Sequence, residues 1–144
     1  MYKQILIPLD GSEIAEQALA YATAQAEYCK GRMILLRVLE PLPRDRGIPL
    51  SALKRAEDQT SKAAREYLQR VAASMPEQCV PVEAVVREGR AHEEIIRFAD
   101  EHAVDLIVLS ARGSSGLSRW LLGSVADRVV RGSNKPILLI RPTV

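Results

Sequence analysis

The chain alternates between two hydrophobic patterns, and this alternation limits the folds open to it more than any other feature. The chain contains five short aliphatic runs. Each of the first four is followed by a segment whose apolar residues recur three and four positions apart, and such spacing predicts an amphipathic helix. The runs themselves are apolar on both faces, as buried parallel strands are. The sequence therefore predicts an α/β fold, a parallel sheet with helices on both faces. The runs occupy residues 2–9, 32–39, 80–87, 105–109 and 137–140, and the helical segments residues 13–29, 51–74, 91–102 and 124–131.

Length and composition narrow the class of protein. The chain has 144 residues, of which 47% are hydrophobic and 26% charged. A length and composition of this kind predict a single domain over residues 1–144. A net charge of +2 and only 4% aromatic residues argue against nucleic-acid binding. The two cysteines, Cys29 and Cys79, are far apart and not in metal-ligand spacing, which excludes a zinc finger and a disulfide scaffold. So few cysteines suit a protein of a reducing compartment. Because no apolar run approaches the roughly 18 residues of a membrane span, and the first residues lack a signal-peptide pattern, we expect a cytoplasmic protein with no membrane span.

One connection between a strand and a helix is unusually long and rich in glycine and serine. Residues 110–123 read SARGSSGLSRWLLG, and connections beyond about 12 residues in compact domains are usually functional. Its glycines allow the backbone to approach a phosphate closely, and Arg112 and Arg119 could add positive charge. The segment ends at a helix start, where free N–H groups favour anions, and Ser124 with Asp127 reads as a capping box. These features predict a phosphate cradle; the alternative is a solvated Gly/Ser loop.

Common nucleotide and catalytic motifs are absent from the sequence. It contains no G-x-x-x-x-G-K-[ST] and no G-x-G-x-x-G after the first strand. It also lacks a G-x-S-x-G elbow and an H-E-x-x-H zinc motif. Glu88, Glu93 and Glu94 could activate water, but acidic residues at a helix start usually interact with its dipole. We therefore expect a protein that is not an enzyme, with any hydrolysis of a bound phosphate compound slow or incidental.

Six segments resemble the universal stress protein family in its short single-domain form: ILIPLDGSE, RVLEP, REGRAHEEIIRFA, DLIVLSARG, SGLSRWLLGSVADRVVR and NKPILLIR. The ATP-binding branch of that family carries G-x2-G-x9-G-[ST] after the fourth strand. Gly113 and Gly123-Ser124 match the later elements, and Ser110 stands where the first glycine would be. The resemblance implies an open, Rossmann-like five-stranded parallel sheet of order 3-2-1-4-5. It further implies an ATP-binding protein with a regulatory role in the stress response, with AMP or ADP as other ligands.

The resemblance also implies a site between the first and fourth strands. Asp10 and its neighbours would lie near the adenosine, Val38 would line the adenine pocket, and the glycine-rich segment would hold ribose and phosphates. Mg²⁺ or Mn²⁺ could sit on the phosphates, helped by Asp10. The residues expected to bind nucleotide are Pro8, Leu9, Asp10, Val38, Ser110, Ala111, Arg112, Gly113, Ser115, Gly116, Gly123, Ser124 and Val125.

The last strand, residues 137–140, indicates how the protein assembles. In the implied order it is an edge, and its sequence ILLI is apolar on both faces, which is an aggregation hazard if left open. The family pairs this strand with its copy across a two-fold axis, so we expect a homodimer. A regulatory protein partner is expected as well. Two alternatives stay open: an interaction module of the same family that binds no nucleotide, and a slow adenine-nucleotide hydrolase.

Overall fold

The computed structural model describes residues 1–44, 47–76, 80–113 and 121–143. Within these ranges the strands form one parallel sheet of order β3-β2-β1-β4-β5. The predicted parallel α/β architecture and strand order are thereby confirmed. The strands are β1 (Gln4–Pro8), β2 (Arg32–Leu39), β3 (Val82–Glu88), β4 (Leu106–Ser110) and β5 (Ile137–Ile140).

The helices divide between the two faces of the sheet. They are α1 (Glu13–Glu16), α2 (Ala18–Cys29), α3 (Leu50–Ser74), α4 (Ala91–Glu101) and α5 (Ser124–Gly132). Ile5 and Ile7 pack with alanines of α2 and with Leu68 of α3, whereas Leu6 on the opposite face packs with Ile95 of α4 and with residues of α5. None of the helices in the described ranges combines the length and apolar character that crossing a bilayer requires.

Strand β1 is the point at which the strand order reverses. It pairs with β2 along its whole length and with β4 on its other side. Ile5, Leu6 and Ile7 are each 0% exposed, as expected for a central strand covered by helices on both faces. The chain adds β2 and β3 on one side of β1 and β4 and β5 on the other. The connections therefore diverge beyond the carboxyl ends of β1 and β4, which leaves a crevice there.

The first helical segment is interrupted at Gln17, where the sequence predicts one continuous helix over 13–29. The Gln17 side chain holds the C-terminal backbone at residue 143: its Nε2 donates to the Thr143 carbonyl, and its Oε1 accepts from the Thr143 N–H, both at 2.8 Å. At the interruption the Gln17 N–H donates to the Ile14 carbonyl, three residues earlier, at 3.2 Å. The helical segment is divided there into α1 and α2, and α1 is a single turn that begins at the cavity described below.

The predicted capping box at the start of α5 is wrong. Gly123 is the N-cap, and no side chain in the described part of the chain caps this helix end. The Gly123 N–H donates to the Ala111 carbonyl at 2.7 Å, and a Cβ atom at position 123 would lie 3.3 Å from that oxygen. Because the N-cap residue passes so close to backbone, glycine occupies it and Ser124 becomes the first helical residue. The Asp127 carboxylate instead accepts a hydrogen bond from Arg131 Nε at 2.9 Å.

Gly31 is required by packing between the end of α2 and the start of β1. The left-handed turn that ends α2 is made by Lys30, with φ 54°. A Cβ atom at position 31 would overlap the Tyr2 carbonyl oxygen and lie 3.1 Å from the Lys3 carbonyl oxygen. Both oxygens belong to the backbone just before β1, so they cannot rotate away as a side chain could.

We expect Gly31→Ala to lower the free energy of unfolding by about 1–3 kcal/mol, the usual cost of overpacking. Gly132→Ala is the matched control, because its new methyl group would meet only the mobile end of Ile96, 2.9 Å away. Urea denaturation of both variants measures the difference. A Gly31→Ala protein as stable as the control would contradict this account.

Candidate functional site

A cavity of about 500 Å³ lies at the carboxyl ends of β1, β2 and β4, where the strand order reverses. Its volume falls within the roughly 300–1,000 Å³ of small-molecule sites. Its position is the one predicted for ligands in open parallel sheets. The residues that line it are Pro8, Leu9, Asp10, Ala15, Leu36, Arg37, Val38, Leu39, Glu40, Thr60, Ala91, Ile95, Leu109, Arg112, Gly113, Gly123, Ser124, Val125 and Ala126.

Most of the sequence-predicted binding residues lie in the wall of this cavity. The structure brings together Pro8, Leu9, Asp10, Val38, Arg112, Gly113, Gly123, Ser124 and Val125.

Two others, Ser110 and Ala111, lie behind the wall. Ser110 is buried and its Oγ accepts a 3.4 Å hydrogen bond from the Arg112 N–H. The Ala111 N–H donates to the Ile140 carbonyl at 2.7 Å. Ser115, Gly116 and Arg119 lie outside the described residues. The binding role of all of these residues stays a prediction.

One side of the cavity is apolar. Leu36 and Val38 come from β2, Leu109 from the end of β4, Ile95 from α4 and Ala126 from α5. All of them belong to the core cluster on the α4/α5 face of the sheet. The core is therefore open to the cavity at this edge. Apart from Val38, the sequence alone does not single out these residues, because their pattern is that of ordinary core positions.

Asp10 stands at the centre of the polar side. Its Oδ1 accepts hydrogen bonds from the Ser12 N–H at 2.9 Å and the Ser12 hydroxyl at 2.5 Å. The Ser12 Oγ in turn accepts from the Ala15 N–H at 3.1 Å and so caps α1. Asp10 Oδ2 points at the backbone of Gly113, where a Cβ atom would overlap it. Gly113 therefore lets the segment after β4 pass directly over the carboxylate that follows β1.

The two ends of the glycine-rich connection meet at the cavity. The hydrogen bond from Gly123 N–H to the Ala111 carbonyl joins the residue after β4 to the residue before α5. The first turn of α5 then enters the cavity wall with Ser124, Val125 and Ala126. Because the first N–H groups of a helix have no partner within it, this wall presents hydrogen-bond donors and the positive end of the helix dipole.

Tyr67 of α3 is bonded to α1 beside the cavity. Its hydroxyl donates to Glu16 Oε2 at 2.9 Å. Burial raises the pKa of the Tyr67 hydroxyl well above its ordinary range, and the hydrogen bond and negative charge of Glu16 and the charge of Asp10 add to this. Arg37 acts in the opposite direction. Asp10 and Arg37 are therefore both close enough to Tyr67 to affect it electrostatically. Arg37 is another residue that the sequence alone does not single out.

Within the described ranges, no three His, Cys, Asp or Glu side chains come together in a way that could hold a metal ion. Asp10 and Glu40 are the acidic side chains in the described wall.

We expect Tyr67 to make stability depend on alkaline pH. The folded protein keeps the phenol proton at pH values where the unfolded chain releases it. The contribution of the Tyr67 phenol to the free energy of unfolding is therefore complete below about pH 10, the ordinary tyrosine pKa. It is lost as the pH rises above that value. Tyr67→Phe should lose less unfolding free energy between pH 9 and 11 than the unsubstituted protein, as measured by urea denaturation. Tyr28→Phe, at a residue 88% exposed, is the control. Equal losses in the two variants would contradict the assignment.

Comparison with known proteins agrees with this architecture. The sequence model of the universal stress protein family matches residues 1–141. A universal stress protein of Thermus aquaticus is 33% identical, with the alignment covering 98% of this chain and 100% of that one. Another, MJ0531 of Methanocaldococcus jannaschii, is 31% identical over 98% of this chain and 83% of its own.

Solved structures show the same fold. That of MJ0577 from Methanocaldococcus jannaschii is 30% identical, with a TM-score of 0.86 and coverage of 100% of this chain and 99% of that one. A universal stress protein in complex with cAMP has a TM-score of 0.70, and one from Archaeoglobus fulgidus in complex with dAMP a TM-score of 0.59. Each is 22% identical, and the alignments cover 99% and 96% of this chain and 98% of each of those chains. The six resembling segments, the 3-2-1-4-5 sheet and the family match together establish that the chain belongs to the universal stress protein family.

Proposed function

We propose that this protein binds an adenine nucleotide, ATP in the first place, in the cavity at the ends of β1, β2 and β4, and that it does so as a regulatory binder. One observation carries the proposal: a single cavity has an apolar wall on one side and, on the other, a helix N-terminus beside two close-packed glycines. A nucleotide has the same division, with an apolar base at one end and anionic phosphates at the other.

The apolar wall suits the base. Leu36, Ile95, Leu109 and Ala126 offer aliphatic surface that a purine ring can cover, and burial of apolar surface contributes about 25 cal/mol per Å². Val38 lies on the same side, where the family resemblance puts the adenine. The complexes of two relatives with cAMP and dAMP support the proposal at the level of the fold, since both ligands are adenine nucleotides.

The other side suits phosphate. Gly113 and Gly123 bring backbone to the cavity surface, and Ser124 adds a hydroxyl beside the first N–H groups of α5. Arg112 belongs to the same wall and carries a positive charge. Backbone N–H groups at a helix start, combined with its dipole, are a common anion site. Ser110, Ala111, Ser115 and Gly116 belong to the same proposal through the family motif.

A divalent ion fits this arrangement only as a companion of the phosphates. Mg²⁺ keeps several water ligands and is commonly bound by one or two carboxylates plus substrate phosphates. Asp10 is the carboxylate placed to join such a set, since it lies against Gly113. We therefore include Mg²⁺ or Mn²⁺ in the proposal as an ion that the nucleotide brings, with Asp10 as its protein contact or as a ribose acceptor.

Binding rather than turnover is the proposed activity. Catalysis of phosphate hydrolysis needs groups that orient water and stabilise charge at the reacting phosphate. In the described wall, Asp10 Oδ1 is engaged by Ser12, and the other carboxylate is that of Glu40. We propose that nucleotide occupancy changes the connection over 110–123 and that a protein partner in the cytoplasm senses the change.

The edge strand β5 supports a proposed homodimer. On one side β5 pairs with β4, and no other described strand pairs with it. Ile137, Leu138 and Leu139 are only half-buried. An apolar edge of this kind is protected when it pairs with its copy, which also satisfies its free backbone groups.

Calorimetric titration with ATP and Mg²⁺ tests nucleotide binding. We expect a dissociation constant tighter than millimolar, and a loss of about tenfold or more in Gly123→Val, because its side chain would meet the Ala111 carbonyl and fill the phosphate wall. Gly132→Val, at the other end of α5, should bind like the natural chain. Binding no tighter than millimolar by the natural chain would remove the proposal. Mass spectrometry of ligand released from the denatured protein gives an independent check.

Sedimentation analysis tests the dimer. We expect Leu139→Arg to sediment as a monomer at micromolar concentration, because the new charge would lie on the apolar sheet face that continues across the two paired β5 strands. Asn134→Arg, at an exposed position just before β5, should remain dimeric. Circular dichroism must show that both variants are folded. A folded Leu139→Arg protein that stays dimeric would show that the chains do not associate through β5.

A further inference from the structure

We infer that Arg37 makes the site select its ligand by phosphate number, favouring ATP over AMP and over adenosine. The inference rests on the proposed nucleotide function and adds a specificity-determining residue to it. Arg37 is not among the residues that the family resemblance assigns to nucleotide binding.

Strand alternation directs Arg37 into the cavity from the face opposite Val38. Met33 and Leu35, two and four residues earlier on β2, pack in the core on the α2/α3 face. Arg37 lies two residues after Leu35 and therefore on the same face of β2. At this end of the strand that face borders the cavity and not the core. Its Nη2 lies 3.9 Å from the position that a Cβ on Gly11 would take. The guanidinium therefore lies beside the turn that carries Asp10.

Arg37 is half-buried, yet it makes no hydrogen bond or ion pair with any other residue that the structure describes. The contrast with Arg112 is informative. The Arg112 Nη2 donates to the Pro142 carbonyl at 3.3 Å, and this residue has further interactions. A guanidinium has five N–H donors and is always charged. Arg37 thus offers the cavity a cation whose donors are not taken by the described residues.

The charges around the cavity explain why such a cation is needed. Asp10 and Glu40 line the cavity, and Glu16 lies beside it on α1 through its bond to Tyr67. Asp10 in particular lies against Gly113, on the proposed phosphate side. A phosphate bound there meets a nearby carboxylate of the same sign, and the repulsion grows with each added phosphate. Arg37, in the same neighbourhood as Asp10, offsets that repulsion.

The effect of Arg37 should therefore scale with ligand charge. Adenosine carries no phosphate and should be indifferent to it. When Arg37 is neutralised, the affinity for AMP should fall a little and the affinity for ATP should fall most. The reason is that charge-assisted hydrogen bonds to phosphate oxygens are stronger than neutral ones. A purely structural role for Arg37 predicts a different pattern, since damage to the fold weakens all three ligands alike.

The test is calorimetric titration of the natural chain and three variants with ATP, AMP and adenosine at fixed salt, both with Mg²⁺ and without it. The variants are compared without Mg²⁺, because Mg²⁺ would neutralise part of the ATP charge on which the comparison depends. We expect Arg37→Gln to weaken ATP by about tenfold or more, AMP by about threefold, and adenosine by less than about twofold. Arg37→Lys keeps the charge and should recover most of the ATP affinity. Arg70→Gln is the matched control: it removes the same charge from an exposed position on α3, about 15 Å along the helix from Thr60.

The possible failures are distinct. If the natural chain binds none of the three ligands, the proposed nucleotide function is wrong and this inference falls with it. If the natural chain binds ATP but Arg37→Gln weakens adenosine as much as ATP, the function stands and the role of Arg37 is overturned. That role is also overturned if Arg37→Gln and Arg70→Gln weaken ATP equally, because then only net charge matters.

Discussion

The pairing of β1 with both β2 and β4 is the constraint on which the rest of the structure depends. Three consecutive residues of β1 are fully buried, so helices must cover both faces of the strand. Because β1 has a parallel neighbour on each side, the chain first builds β2 and β3 on one side of β1 and then crosses over to build β4 and β5 on the other. The crevice at the strand ends follows from this path, and Asp10 and Gly113, which follow β1 and β4, are brought into contact there.

Glycine serves different purposes at the two ends of this sheet. At the amino ends, Gly31 lets the chain after α2 pass against the backbone of Tyr2. At the carboxyl ends, Gly113 and Gly123 bring backbone against the Asp10 carboxylate and the Ala111 carbonyl. The first contact allows close packing at the amino ends of the strands, and the other two bring bare backbone to the cavity wall at positions 113 and 123. A sequence pattern registers each of these positions only as glycine, so their roles separate only when the neighbouring atoms are known.

The fold could be predicted from the sequence because its signals are local and repeated. Aliphatic runs and helical spacing predict β2 and β5 with the bounds that the structure has, and most other elements within two residues. The glycine-rich connection locates the site, but its apolar side, with Leu36 and Ile95, escapes prediction, because core residues that border a cavity have the same pattern as those that do not. Arg37 escapes it for a similar reason: nothing in a strand's sequence shows whether a terminal arginine points to solvent or to a cavity. The break at Gln17 escapes prediction as well, because no glycine or proline in residues 13–20 marks it.

The C-terminal segment after β5 joins three parts of the molecule. Gln17 holds the backbone of Thr143, Arg112 donates to the Pro142 carbonyl, and both of these C-terminal residues closely follow the edge strand. Arg112 also belongs to the cavity wall. If this guanidinium swings toward a bound anion, its bond to Pro142 must lengthen or break, and the tail of the edge strand loses one of its anchors. The segment after β5 would then connect the cavity to the edge of the sheet through Pro142.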